Sequence, residues 1–330
     1  MRILIYSMGE ILGDGAWKLP LMAGLRDAAG PRAHISWAAA SRAGTVYDGP
    51  LKRWADGLIT GTLHGPGAGA EGRDLLSMKR PFGGARFDLV IDTQTRLGPA
   101  IVARRALAPG GRFISAAGRF FLSHARPAFE RPEAVFDQLR ELFELGLDRE
   151  IAPRCPDLTD PESEDAAAFL LPDGPTYIGL VPGAGGADRR WPLNHWLALA
   201  NSLTRDGLVP VVFLGPEERG WEARFHDLAP GALTPEQDFN PQGLRGPRLV
   251  FALARRLTAG VANDCGGGHL LGLAGAPLLT LFRDDRLAAK FPTRSPVRAR
   301  LIATEHGADG MASLSVPVVR AALNGLLERL

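Results

Sequence analysis

The chain has 330 residues, 45% of them hydrophobic and 22% charged, with a formal net charge of +2. This is the balance of a folded protein with room for two α/β domains, and it gives no electrostatic case for nucleic acid as a partner. Two cysteines, Cys155 and Cys265, make neither a disulfide framework nor a zinc cluster.

The chain opens on Ile3-Leu4-Ile5-Tyr6, too short an apolar run for a signal peptide and suited to a buried strand. No run approaches the roughly eighteen apolar residues of a membrane span, so the cytoplasm is the expected compartment. Short apolar runs then alternate with longer amphipathic stretches, which predicts parallel sheets with crossover helices. In the first half, strands are expected at 2–7, 34–38, 57–60, 87–92 and 112–116, and helices at 18–29, 97–107 and 132–147. Residues 61–69 and 83–84 read as loop. The stretch 151–173, rich in proline and acids, is the linker candidate, with room for a helix at 162–171. A second alternation follows, with strands at 176–181, 209–214, 260–262 and 277–282. Its helices are expected at 192–204, 249–257, 269–274 and, closing the chain, 315–330. The implied domains are 1–165 and 166–312, both Rossmann-like, followed by a closing helix at 313–330. Two doubly wound domains in series are expected to bind ligands in a cleft at the C-terminal ends of their strands.

Three stretches carry chemistry. Gly13-Asp14-Gly15 follows the first strand. There Asp14 is either a helix N-cap or a general base that takes a proton from an attacking hydroxyl. Gly183-Ala184-Gly185-Gly186 leads through Asp188-Arg189-Arg190 to Trp191-Pro192 and a helix start. Backbone N–H groups in such a loop suit phosphate oxygens. Two arginines ahead of a helix N-terminus conflict with its dipole unless an anion sits there; the alternative is a solvated pair. Asn263-Asp264-Cys265-Gly266-Gly267-Gly268-His269 is the third stretch. Its glycines admit a ligand to the backbone, Asp264 can accept from sugar hydroxyls, and His269 can donate to phosphate. A buried, satisfied histidine is the plainer reading of His269 alone.

In order along the chain, these stretches resemble the bacterial lipopolysaccharide heptosyltransferase family. The likeness includes Pro20 after Gly13-Asp14, Trp191-Pro192 after a basic residue, and Asn263-Asp264 through His269 into small residues. Pro277, the strand ending in Leu281-Phe282, and Phe87–Asp92 also fit. The resemblance implies an inverting GT-B glycosyltransferase, α/β, with two doubly wound Rossmann-like domains facing a cleft, the acceptor in the first and the donor in the second. It implies Asp14 as base and a donor site of Gly183, Ala184, Gly185, Arg189, Asp264, Cys265, Gly266, Gly267 and His269. Protein cations and N–H groups would stabilise the departing diphosphate, with no obligatory metal. Cys265 departs from the usual Ser or Thr, Ala184 and Gly185 from frequent Thr or Ser, and Trp17-Lys18 is unusual after Gly-Asp-Gly.

The favoured donor is ADP-heptose and the favoured acceptor a lipopolysaccharide core or related glycan. The alternatives are another nucleotide sugar acting on a non-lipid glycan, or a non-catalytic relative that binds a nucleotide sugar. A nicotinamide dehydrogenase is disfavoured because neither opening strand is followed by a complete Gly-x-Gly-x-x-Gly. Between residues 96 and 131 lie seven arginines and one acid, Glu130, with Phe113, Phe120, Phe121 and Phe129 among the later ones. This segment predicts an anionic glycolipid or glycan acceptor, read by Lys18, Arg119, His124 and Arg126. It also predicts peripheral contact with the cytoplasmic face of the inner membrane.

Overall fold

The computed structural model describes residues 1–40, 44–65, 79–218 and 220–330. Contacts divide the chain into two compact units, Met1–Asp157 and Leu158–Leu330.

In the first unit, the described residues form a five-stranded parallel sheet of β1 (Arg2–Ser7), β2 (His34–Ala39), β3 (Gly61–His64), β4 (Phe87–Asp92) and β5 (Leu107–Ser115). The order is β3-β2-β1-β4-β5. Central β1 buries Ile3 through Tyr6 completely, which is why its sequence is continuously apolar rather than alternating. Helices α1 (Leu12–Ala29), α2 (Lys52–Ala55), α3 (Leu97–Arg104) and α4 (Val135–Leu147) complete the described unit. Leu4, Tyr6, Val90, Ala100 and Phe113 share one core cluster.

Several boundaries differ from expectation, among them the end of α3 at Arg104 rather than 107 and the start of α4 at Val135 rather than 132. The third strand lies at Gly61–His64, not at 57–60, because Ser36 of β2 registers with Gly61 while Thr60 bonds Ile35 ahead of the ladder. Of the loop expected at 61–69, residues 66–69 lie outside the described residues. The fifth strand starts at Leu107 and carries a register shift opposite Phe87 to Leu89, so its glycine-rich opening did not read as strand. Helix α1 begins six residues before the expected 18 and runs through Pro20, which forfeits one helical hydrogen bond.

The described residues of the second unit form a parallel sheet of β6 (Tyr177–Val181), β7 (Val209–Val212), β8 (Ala259–Asn263), β9 (Leu278–Phe282) and β10 (Arg298–Ile302). The order is β10-β9-β8-β6-β7. Its helices are α5 (Pro161–Leu170), α6 (Leu193–Arg205), α7 (Trp221–Leu228), α8 (Pro247–Ala254), α9 (Gly266–Leu273), α10 (Asp285–Lys290) and α11 (Val316–Leu327). The boundary expected at 165/166 falls inside α5, which packs on α8 and belongs wholly to this unit. Arg248 of α8 grips Asp160 with two hydrogen bonds, at 3.1 and 2.6 Å, and Asp160 caps α5 by accepting from Ser163 N at 3.0 Å. Helix α11 is likewise integral, burying Val319, Leu323 and Leu326 against the core shared with α6 and β9.

Candidate active-site elements

Asp14 lies in the first turn of α1. The N-cap is Ile11, so the capping reading of Asp14 does not hold. Asp14 is half-buried and lines a cavity of about 560 Å³ with Glu10, Thr45, Asp48, Thr62 and His64. This volume lies in the usual range for small-molecule sites. Among the described residues, the one side chain that donates to the Asp14 carboxylate is Trp17, from Nε1 at 3.4 Å. Glu10 is the opposite case. It is 8% exposed and accepts from Ser7 Oγ (2.6 Å), Trp37 Nε1 (3.0 Å), Lys18 Nζ (3.2 Å) and Thr45 Oγ1 (3.0 Å). Lys18, expected to meet the acceptor, is therefore engaged by Glu10 and sits over the rings of Trp17 and Trp37. Sequence reasoning missed Glu10; its place between Met8 and Ile11 gave no sign of burial.

The other expected acceptor residues follow β5, two strand spacings, or about 10 Å, from β1. Gly118, Arg119 and Phe120 are all left-handed, with φ of 58°, 57° and 64°. Arg119 and Arg126 are exposed, as are Phe121 (83%) and Phe129 (88%). His124 is tied back to the strand: its Nδ1 accepts from Phe113 N at 3.0 Å, and its Nε2 lies 3.4 Å from Arg104 Nη2. Beneath this loop, Asp92 at the end of β4 is fully buried. It accepts from Ser115 Oγ at 2.8 Å and Gln94 N at 3.1 Å, while Ser115 Oγ accepts from Ala117 N at 3.1 Å. Burial raises the Asp92 carboxyl to about 7 against the pull of those hydrogen bonds.

In the second unit, two strand–loop–helix junctions lie side by side because β6 pairs with β8. The three glycines after Cys265 lie inside α9 rather than ahead of it, since that helix begins at Gly266. A Cβ at Gly267 would fall 2.6 Å from Val181 Cγ1, so glycine lets α9 close on β6. The first-turn N–H groups of α9 have no partners within the helix, which suits an anion. Asn263 joins the two junctions, donating to Pro182 O at 2.8 Å and accepting from Trp191 N at 3.3 Å. Trp191 is fully buried and donates to Leu314 O at 2.7 Å, so Trp191-Pro192 anchors the loop.

The two arginines separate in role. Arg190 donates to Ala184 O and pairs with Glu217 and Glu218, closing the loop from behind. Glu218 lies where a Cβ on Gly183 would meet it, 2.7 Å from Oε2, and burial raises its carboxyl while Arg190 opposes. Arg189 faces the other way, with Nη1 3.6 Å from Asp264 Oδ2. Arg189 and Asp264 are thus brought together, with Cys265 at the N-cap of α9 and His269 in its first turns. Burial pushes the Cys265 thiol up to about 12, which removes it as a nucleophile. Asp264, Cys265 and His269 line a cavity of only about 10 Å³, room for about one water.

The sequence model of glycosyltransferase family 9 (heptosyltransferase) matches residues 75–304. The chain belongs to that family. It is a heptosyltransferase-family glycosyltransferase of the α/β, GT-B fold class. The matched stretch of this family 9 protein includes both second-unit junctions; Asp14 and its cavity lie outside it. Among solved structures, a family 9 glycosyl transferase from Veillonella parvula has a TM-score of 0.67 at 17% identity, covering 100% of this chain and 97% of that one. E. coli ADP-heptose lps heptosyltransferase II has a TM-score of 0.67 at 19% identity, with 100% and 99% covered. E. coli heptosyltransferase WaaC, solved with ADP-2-deoxy-2-fluoro heptose, has a TM-score of 0.65 at 16% identity, with 98% and 99% covered. Comparison with curated proteins finds no match. No helix among the described residues is long and apolar enough to cross a membrane.

Proposed function

We propose that this protein transfers a heptose from ADP-heptose to a hydroxyl of a lipopolysaccharide core or related glycan, with Asp14 as general base. The observation that carries the reading is the contrast at the cavity. Glu10 is saturated with donors, whereas Asp14 keeps its lone pairs for a substrate, with one weak hydrogen bond at 3.4 Å. A base must be free to accept the proton it removes.

Asp14 takes the acceptor's hydroxyl proton as that oxygen attacks the anomeric carbon. The new C–O bond forms as the bond to the diphosphate oxygen breaks, with inversion, and ADP departs with the electron pair. Arg189, His269 and the first-turn N–H groups of α9 stabilise the departing charge, a role fixed cations and dipoles fill without an obligatory metal. ADP as the nucleotide of the donor is supported by the WaaC structures, solved with ADP and with an ADP-sugar. An anionic, lipid-linked acceptor at the cytoplasmic membrane face is supported by exposed Arg119, Arg126, Phe121 and Phe129. A second reading, an uncharged glycan acceptor, is favoured by the carboxylates Glu10, Asp14 and Asp48 in the cavity wall.

A thermal-shift panel of ADP, UDP and GDP sugars tests the donor; the largest shift is expected with ADP-heptose. Asp14→Asn should lower turnover about 10²–10⁴-fold with donor binding retained. Near-normal turnover in Asp14→Asn would refute the base assignment.

A further inference from the structure

The turn between β1 and α1 inverts the ordinary burial rule. Met8 is 51% exposed and Ile11 67% exposed, while the carboxylate between them, Glu10, is 8% exposed. Turning two large apolar side chains outward to bring an acid in is unfavourable unless the acid is paired and something else requires the arrangement. The pairing is complete. Ser7 at the end of β1, Trp37 in β2, Thr45 in the following loop and Lys18 on α1 all donate to this one carboxylate. Glu10 therefore joins four separate segments at the wall of the cavity that Asp14 shares.

The contacts continue to Asp14 itself. Lys18, held by Glu10, lies over Trp17 with Nζ 5.8 Å from the ring centroid. The Trp17 indole, also packed on Phe136 at 5.6 Å, donates to Asp14 Oδ1. The carboxylate of Asp14 is thus oriented by a side chain whose own place depends on Lys18 and Glu10. We propose that Glu10 is a positioning residue for Asp14, acting through Lys18 and Trp17, an inference that rests on Asp14 being the general base. Glu10 takes no proton from the substrate; it fixes where the proton acceptor stands.

The test is a mutant cycle on the full chain, with ADP-heptose as donor, a deacylated lipopolysaccharide core as acceptor and ADP release as readout. Glu10→Ala should lower kcat about 10–100-fold, the scale of a displaced catalytic group, with acceptor KM and ADP affinity little changed. Glu10→Gln should recover most of the loss, because its amide still accepts from Trp37 and donates to Thr45. In an Asp14→Asn background, Glu10→Ala should cost nothing further, since a group acting through Asp14 has nothing left to position. A folded Glu10→Ala protein with wild-type kcat overturns the inference. So does a loss that multiplies with that of Asp14→Asn, or one confined to ADP affinity or acceptor KM. If Glu10→Ala does not fold, Lys18→Met, which cuts the link from Glu10 to Trp17, carries the same cycle and the same criteria. Full turnover in Asp14→Asn alone overturns the general-base reading, and the positioning role with it. A crippled Asp14→Asn beside an unaffected Glu10→Ala overturns the positioning role only.

Discussion

Replacing Asp92 by Asn should stabilise the first unit, and do so more strongly at pH 8 than at pH 5. The carboxyl is fully buried and raised from 3.8 to about 7, burial being the cause and the bonds from Ser115 and Gln94 the partial offset. Between those two values the native state holds a proton the unfolded chain has released. Stability therefore falls as pH rises through this window and levels off above about 7. At 1.36 kcal/mol per pH unit, the gap from 3.8 to about 7 corresponds to about 4 kcal/mol lost by pH 8. Asn does not titrate, accepts from Gln94 N as Asp does, and can donate to Ser115 Oγ. Allowing about 1 kcal/mol for a poorer hydrogen bond leaves a gain of about 3 kcal/mol at pH 8. For a unit of this size that is roughly 6–12 °C in melting temperature. At pH 5 most of the penalty has not developed, so the two proteins should melt within a few degrees. Scanning calorimetry of both proteins from pH 5 to 8, following the first unit's transition, measures the divergence. Parallel curves would show that Asp92 does not change its protonation with folding and would refute the reasoning.

Arg189→Ala and His269→Ala should each weaken ADP binding by calorimetric titration, while Arg190→Ala should lower the melting temperature more than it lowers ADP affinity. Cys265→Ser puts a hydroxyl, a stronger acceptor than sulfur, at the N-cap of α9; a gain of about 1 kcal/mol is expected by thermal denaturation. Arg119→Gly relieves a left-handed backbone and should stabilise by about 1 kcal/mol, while salt-sensitive sedimentation with anionic vesicles weakens.

What could be read ahead of the structure was whatever depended on local pattern. The continuous apolar runs of β1 and β4 predicted buried parallel strands because nothing in such a strand faces water. The glycine-rich junctions at Gly183 and Gly266 predicted backbone approach, although the second glycine run serves helix–strand packing as much as ligand access. Edge strand β10 escaped notice because its arginines, Arg298 and Arg300, alternate with partly covered residues on a half-exposed edge. The division of labour between Arg189 and Arg190 was equally hidden. It depends on Glu217, Glu218 and Asp264, which are distant in sequence and meet these arginines only through the sheet order. Glu10 is the same kind of case: its donors come from residues 7, 18, 37 and 45, and no spacing rule joins them.

Nine of the fifteen buried polar side chains among the described residues share a location. In the first unit, Ser7, Glu10, Thr45, Asp92, Gln94 and Ser115 all lie at or just past the C-terminal ends of strands, as Glu218, Asn263 and Asp264 do in the second. Burying such groups costs stability unless each finds partners, and a fold selected for stability alone would fill these positions with apolar residues. The cost falls at the end of each parallel sheet where ligands bind in this architecture. Asp160, Ser163, Thr234, Asn240, Thr280 and Ser295 fall elsewhere, and the burial of Asp160 and Ser163 serves a helix cap and the Arg248 clamp away from any strand end. The positional bias ties together residues with different partners. Asn263 holds two loops in register, Asp92 braces the turn beneath Ala117, and Glu10 steadies the segment that presents Asp14. Each supports a neighbour that faces solvent, so the buried polar shell is best read as the rigid footing on which half-buried Asp14 and Arg189 and exposed Arg119 are held.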